Sequence, residues 1–88
     1  MPTFPGLYRA TVVNATDPFG QRRVLVEIPA LELVEASWAL ACVPAGNRTI
    51  PFVGDTVWVA FEAGDVTRPV WLGVLQYLDV QQDEPDPL

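Results

Sequence analysis

The run Pro51-Phe52-Val53-Gly54-Asp55, followed by Thr56 to Glu62, then Gly64-Asp65 and Arg68-Pro69-Val70-Trp71-Leu72-Gly73, is the most restrictive part of this chain. Two Gly-Asp pairs flank a segment in which Val57, Val59 and Phe61 alternate with Thr56, Trp58 and Ala60. Glycine accepts a left-handed backbone, and aspartate ties its own loop amides, so each pair marks a turn. Alternation with period two marks the segment between them as a strand with one apolar face. A turn, a strand, a turn and a second strand therefore fall within about two dozen residues.

The same period runs through the rest of the chain. Tyr8, Ala10 and Val12 alternate with Arg9, Thr11 and Val13, which predicts a first strand. Asn14 to Gly20 contains Asp17-Pro18 and ends in glycine, a turn. Arg23 to Ile28 is a second strand with Val24, Val26 and Ile28 on one face, closed by Pro29, which has no donor for a ladder. Leu31 to Glu35 has room for a helical turn but not for a stable helix. Ser37 to Val43 is the third strand, Thr56 to Glu62 the fourth and Pro69 to Leu78 the fifth. Strands one and two form a hairpin, as do strands four and five. Five short strands without an amphipathic helix predict an all-β fold: a small five-stranded antiparallel OB-fold barrel with its helix reduced to a loop. Tyr8, Val12, Val24, Val26, Val57, Val59 and Phe61 are the expected interior.

The barrel is expected to span residues 1–78, with 79–88 an acidic, proline-rich flexible tail. At 88 residues a single domain is expected, with a modest core. No apolar stretch approaches the ~20 residues of a membrane helix, so stable membrane anchoring is not expected. The first residues lack a charged region followed by an apolar one and do not read as a signal peptide. The formal net charge is −6 and all five basic residues are arginine, a balance that repels phosphate backbones and anionic lipid. The single cysteine, Cys42, has no internal partner; within the apolar run Trp38 to Val43 it reads as a buried thiol.

Catalytic patterns are missing. Without histidine there is no Ser-His or Cys-His pair and no histidine zinc site. Ser37 has no neighbouring base, and no glycine-rich phosphate loop occurs. A glycosidase needs only two carboxylates, but Asp17, Asp55 and Asp65 all stand in turns beside glycine or proline, where they cap backbone amides. No catalytic residue, metal site or cofactor is therefore expected. A single-stranded nucleic-acid module is the alternative for an OB barrel, since Tyr8, Trp38, Trp58 and Trp71 offer stacking surfaces. It lacks the basic groove: Arg22-Arg23 is a local spot whose plainer reading is a solvated turn or a salt-bridge partner. A small adaptor protein is a further alternative.

The outer faces carry the candidate site. With Val57, Val59 and Phe61 inside, Trp58 points outward. With Val70, Leu72 and Val74 inside, Trp71 and Leu75 point outward as well. Trp58, Trp71 and Leu75 are accordingly the expected interface. The plainer alternative is that the two indoles cover barrel ends or pack under loops.

Taken in order, these pieces resemble the β-barrel domain of the phage baseplate assembly protein V family and of contractile-injection spikes. The resemblance rests on Gly6-Leu7-Tyr8, Asp17-Pro18, Gly20-Gln21-Arg22-Arg23-Val24, Ile28-Pro29, Trp38, Pro51 to Asp55, and Phe61-Glu62-x-Gly64-Asp65 with Pro69-Val70-x-Leu72-Gly73. It covers roughly Gly6 to Leu75, and its motifs build turns rather than a catalytic centre. One departure is Arg22, which stands where the family has a glycine and implies a different turn geometry. The resemblance implies a structural subunit of a phage tail or tail-like injection machine: the hub or spike-base OB ring on the tail axis, in the virion tail baseplate. It further implies a homotrimer that meets a tail hub protein. Because the sequence has no needle or lysozyme segment after the barrel, a separate spike-tip or needle chain is expected, and no nucleic-acid partner.

Overall fold

Strands form where the alternation lies. The computed structural model describes residues 3–32 and 34–76. It holds β1 (Tyr8–Asn14), β2 (Val24–Glu27), β3 (Ser37–Ala41), β4 (Thr56–Phe61) and β5 (Pro69–Val74), with 3-10 turns at Pro29–Leu31 and Glu62–Gly64. The strands close into a barrel in the order β1-β2-β3-β5-β4. No α-helix occurs among the described residues, and the β3–β4 connection is a loop. The short helical turn lies at Pro29–Leu31, earlier than expected, because proline suits the first helical positions. The end of the expected fifth strand, residues 77 and 78, and the expected tail, 79–88, lie outside the described residues.

One seam departs from the antiparallel expectation. The β1–β2, β1–β4, β2–β3 and β4–β5 pairs are antiparallel, but β3 and β5 run parallel through Leu40↔Val70 and Ala41↔Trp71. The reason is topological. Strand direction can alternate all the way around a closed ring only when the number of strands is even, so five strands need one parallel seam.

The interior is lined by small aliphatic side chains. Ala10, Val12, Val24, Val26, Ala39, Val57 and Val59 are at most 1% exposed, and Ile28, Phe61 and Trp71 complete the buried cluster. Tyr8 is half-buried at the barrel end, its ring 5.6 Å from that of Phe61, and Phe4 meets Phe61 edge-on at 5.9 Å. The interior expected from β1, β2 and β4 is thus the observed one, with Tyr8 at its rim; that expected from β5 is not, and Val74, expected inside, is 40% exposed near the end of its strand.

The turns are built by the predicted aspartates. The Asp17 carboxylate accepts hydrogen bonds from the backbone N–H of Phe19 (2.9 Å), Gln21 (3.1 Å) and Arg23 (3.1 Å). It also accepts from Nε (2.9 Å) and Nη2 (3.0 Å) of Arg23. Asp55 accepts from Phe52 N–H, and Asp65 from the N–H and hydroxyl of Thr67. Arg22 does not impose a different turn geometry: it takes φ +59° itself, in the left-handed region that glycine favours. The dense bonding of this loop to Asp17 holds a conformation that a non-glycine residue enters at a cost of about 1–3 kcal/mol.

Candidate interaction surface

Each wall of the barrel is decided by strand register. The pairs Tyr8↔Val59 and Ala10↔Val57 place their side chains inside, so Arg9↔Trp58 and Thr11↔Thr56 lie outside. Trp58 is half-buried on that outer wall, with the Arg9 guanidinium 5.4 Å from its ring centre. The outward direction expected for Trp58 is therefore the observed one.

Trp71 is placed the other way. It pairs with Val59 across β4 and with Ala41 across β3, points into the barrel and is 3% exposed. The expected exposed pair of tryptophans does not exist. The physical reason is that β5 is apolar on both faces, so alternation alone does not choose a side. The alanines and valines of the interior leave a volume that a single indole fills, and close packing rewards filling it. The indole Nε1–H has no acceptor among the described residues, a cost of about 1–3 kcal/mol that the burial of the ring has to outweigh.

With Trp71 inside, Val70 and Leu72 turn outward. Ala60↔Val70↔Leu40 forms one outer row across three strands. A bulge follows: Val59 pairs with Trp71 and Trp58 with Gly73, so Leu72 is the extra residue. Gly73 takes φ +146°, a backbone that L side chains rarely adopt, and this lets the strand shift parity. Leu75 donates its N–H to Thr56 at the same edge and is half-buried. The result is an apolar outer wall on β3, β5 and β4, with Leu40 47% and Leu72 37% exposed. Sequence reasoning missed Leu40, and it assigned Val70 and Leu72 to the interior.

Cys42 also joins this outer side rather than the core. It lies just past the end of β3, donates its N–H to the carbonyl of Trp71 and is exposed. The strand leaves the barrel before the apolar run ends, so the run does not bury its last members.

A second outer cluster lies on the β1–β2 loop. The Arg23 guanidinium sits 5.4 Å from the Phe19 ring centre and 5.5 Å from that of Trp38, while Asp17 grips its edge. The Asp17 side chain is only 3% exposed. The Arg23 hydrogen bonds, helped by the three backbone amides, hold the Asp17 carboxyl well below the usual carboxylate range, although desolvation opposes them. The same contact raises the Arg23 pKa. Bonds from Thr67 lower that of Asp65. These carboxylates serve as loop staples. Among the described residues no group of three or more His, Cys, Asp or Glu is placed to hold a metal ion, and no helix is long and apolar enough to cross a membrane.

The two ends of the barrel differ. At the C-terminal end of β1, the turn Phe52–Asp55 is fastened by Gly54 N–H to the Val12 carbonyl (2.8 Å) and Val12 N–H to the Asp55 carbonyl (2.9 Å). At the N-terminal end of β1, the Glu62–Gly64 turn receives Phe4 N–H on the Gly64 carbonyl (3.0 Å).

Residues 8–75, most of the chain, match a family described as the Type VI secretion system/phage-baseplate injector OB domain. A comparison with curated proteins finds no match.

Proposed function

The chain belongs to the family of Type VI secretion system/phage-baseplate injector OB domains, and from that membership we propose that it forms the hub or spike-base OB ring on the axis of a tail baseplate. At the level of the family, the role is structural and belongs to the baseplate or spike of an injection machine. The finer reading is a homotrimer in the virion tail that docks on a tail hub protein.

The observation that carries it is the apolar outer wall made by Leu40, Val70 and Leu72 beside Trp58 and Leu75. Aliphatic side chains left this open across three adjacent strands, next to a half-buried indole, have the makeup of an interface centre. Trp58 and Leu75 keep the interface role in this proposal; Trp71 does not, because it is core. Leu72→Asp and Trp58→Asp are the direct test. Both substitutions sit outside the buried core, so the barrel is expected to stay folded, which circular dichroism melts check. Each is expected to abolish lateral self-association, measured as mass in solution, and incorporation into tail particles. Unchanged mass and incorporation in both variants would move the interface to another surface.

A further inference from the structure

Strands β1 and β3 end, and β2 and β4 begin, at the end of the barrel where β5 leaves it. The β1–β2 and β3–β4 loops therefore stand beside the point from which residues 77–88 depart. We infer that this acidic C-terminal segment folds back onto its own barrel and lies in the groove between those two loops, with its carboxylates on Arg22 and Arg48.

The groove has a volume of about 280 Å³. Arg22 stands on one side, Pro44 and Asn47 on the other, and Leu40, Ala41 and Val43 supply an apolar lining. A space of that size admits the side chains of an extended segment rather than a folded domain. No carboxylate lines it. The two carboxylates at this end of the barrel are committed elsewhere, Asp17 to Arg23 and its own loop amides, Asp55 to the Phe52 N–H. The ion pairs among the described residues are Asp17–Arg23 and Glu62–Arg68, and neither Arg22 nor Arg48 belongs to one. Arg22 makes one long contact, from Nη1 to the Asn47 carbonyl at 3.5 Å, which leaves most donors of its guanidinium for another acceptor. Its backbone is strained to keep it there, at φ +59°. Arg48 is exposed in the position after Asn47.

Charge and reach select the occupant. Residues 77–88 contain Asp79, Asp83, Glu84 and Asp86 and no basic residue, and Leu78 and Val80 can meet the apolar lining. The barrel strands β3 and β5 are parallel neighbours, about 5 Å apart, and both run toward this end. A dozen residues extend over about 40 Å, more than the crossing needs. A tether this short holds the acids at an effective concentration on the order of millimolar, at which exposed ion pairs that are weak one by one suffice. An acidic partner free in solution lacks that advantage.

NMR relaxation of the isotope-labelled full chain tests this. The backbone order parameters of Asp83 and Glu84 are expected above about 0.6 at low salt. Arg22→Asn combined with Arg48→Gln removes both charges, and asparagine accepts the left-handed backbone of Arg22. In that variant the two order parameters are expected to fall below about 0.6, with barrel amide shifts away from the two loops unchanged. Arg22→Lys combined with Arg48→Lys keeps the charges and is expected to keep the order. Neutralising the segment itself, with Asp79→Asn, Asp83→Asn, Glu84→Gln and Asp86→Asn, is expected to shift the amides of Arg22, Leu40, Ala41, Val43 and Asn47 more than the rest of the barrel. Order parameters below about 0.6 in the native chain overturn the inference, as do values unchanged by loss of the two arginines or shifts centred on another surface. Order that appears only as protein concentration rises puts the segment on a neighbouring copy and also overturns it.

Discussion

Trp58 and Trp71 stand in adjacent strands, each between aliphatic neighbours, and the barrel uses them in opposite ways. Trp71 is 3% exposed within the buried cluster that also holds Val59 and Ala39. Trp58 lies half-buried on the outside against Arg9. The inner wall is an entirely apolar cluster in which shape decides stability. The described ion pairs and cation–π contacts all lie outside that cluster, on outward strand faces and in the loops. The difference shows that an aromatic residue in a small barrel is not informative by type; the parity of its strand assigns it to the core or to a surface.

The largest effect expected from that difference is at Trp71. Trp71→Ala should cost about 3–5 kcal/mol, the range for emptying a large core site, whereas Trp58→Ala should cost about 1 kcal/mol, mainly the contact with Arg9. Denaturant melts of the two variants measure both, and equal losses would erase the distinction between the walls. Trp71→Phe should fall between them, since it leaves a smaller cavity and removes the unpartnered N–H.

A smaller effect is expected where the backbone sets up the two walls. Gly73→Val forces a side chain onto φ +146° in the bulge that turns Leu72 outward, and should cost about 1–3 kcal/mol. An added Cβ there meets nothing within 4 Å, so the loss is conformational alone. At Gly64 an added Cβ would also approach Thr3 Cβ at 3.0 Å, and Gly64→Val should melt below Gly73→Val. The reverse order would show that the bulge, not the packed turn, is the tighter constraint.

The smallest effect sharpens the electrostatic side of the comparison. The folded Asp17 pKa lies below its ordinary value of 3.8, so its carboxylate stabilises the folded state above about pH 4. That contribution declines as pH falls below about 4 and through the depressed folded pKa. Asp17→Asn should therefore melt lower than the parent at neutral pH, and the gap should narrow on acidification below about pH 4. Because the core cluster holds no ionisable group, Trp71→Ala should show no such narrowing from its own site. A gap for Asp17→Asn that stays constant down to pH 2 would mean that the loop does not depend on the charge.

Much of the fold was legible in local chemistry. In β4 the bulky Val57, Val59 and Phe61 share one face against Thr56, Trp58 and Ala60, and that face is the buried one, as it is for Val24 and Val26 in β2. The turns were legible because Asp17, Asp55 and Asp65 bond amides within a few residues, an interaction that sequence spacing alone specifies. The family match, over residues 8–75, spans those positions. Leucine, valine and tryptophan on both faces of β5 carry no parity signal, so its direction was settled by the space left between Ala10, Ala39 and Val59 on other strands. The candidate surface inherits that decision, which is why Trp58 was found in the sequence and Leu40, Val70 and Leu72 were not. Cys42 is exposed because β3 ends at Ala41, a limit set by its short parallel seam with β5. Hydrogen bonds between near neighbours are encoded locally, so the sequence by itself determined the turns, the number of strands and the faces of the patterned ones. The side taken by a uniformly apolar strand depends on volumes contributed by distant residues, and only the closed barrel brings those together.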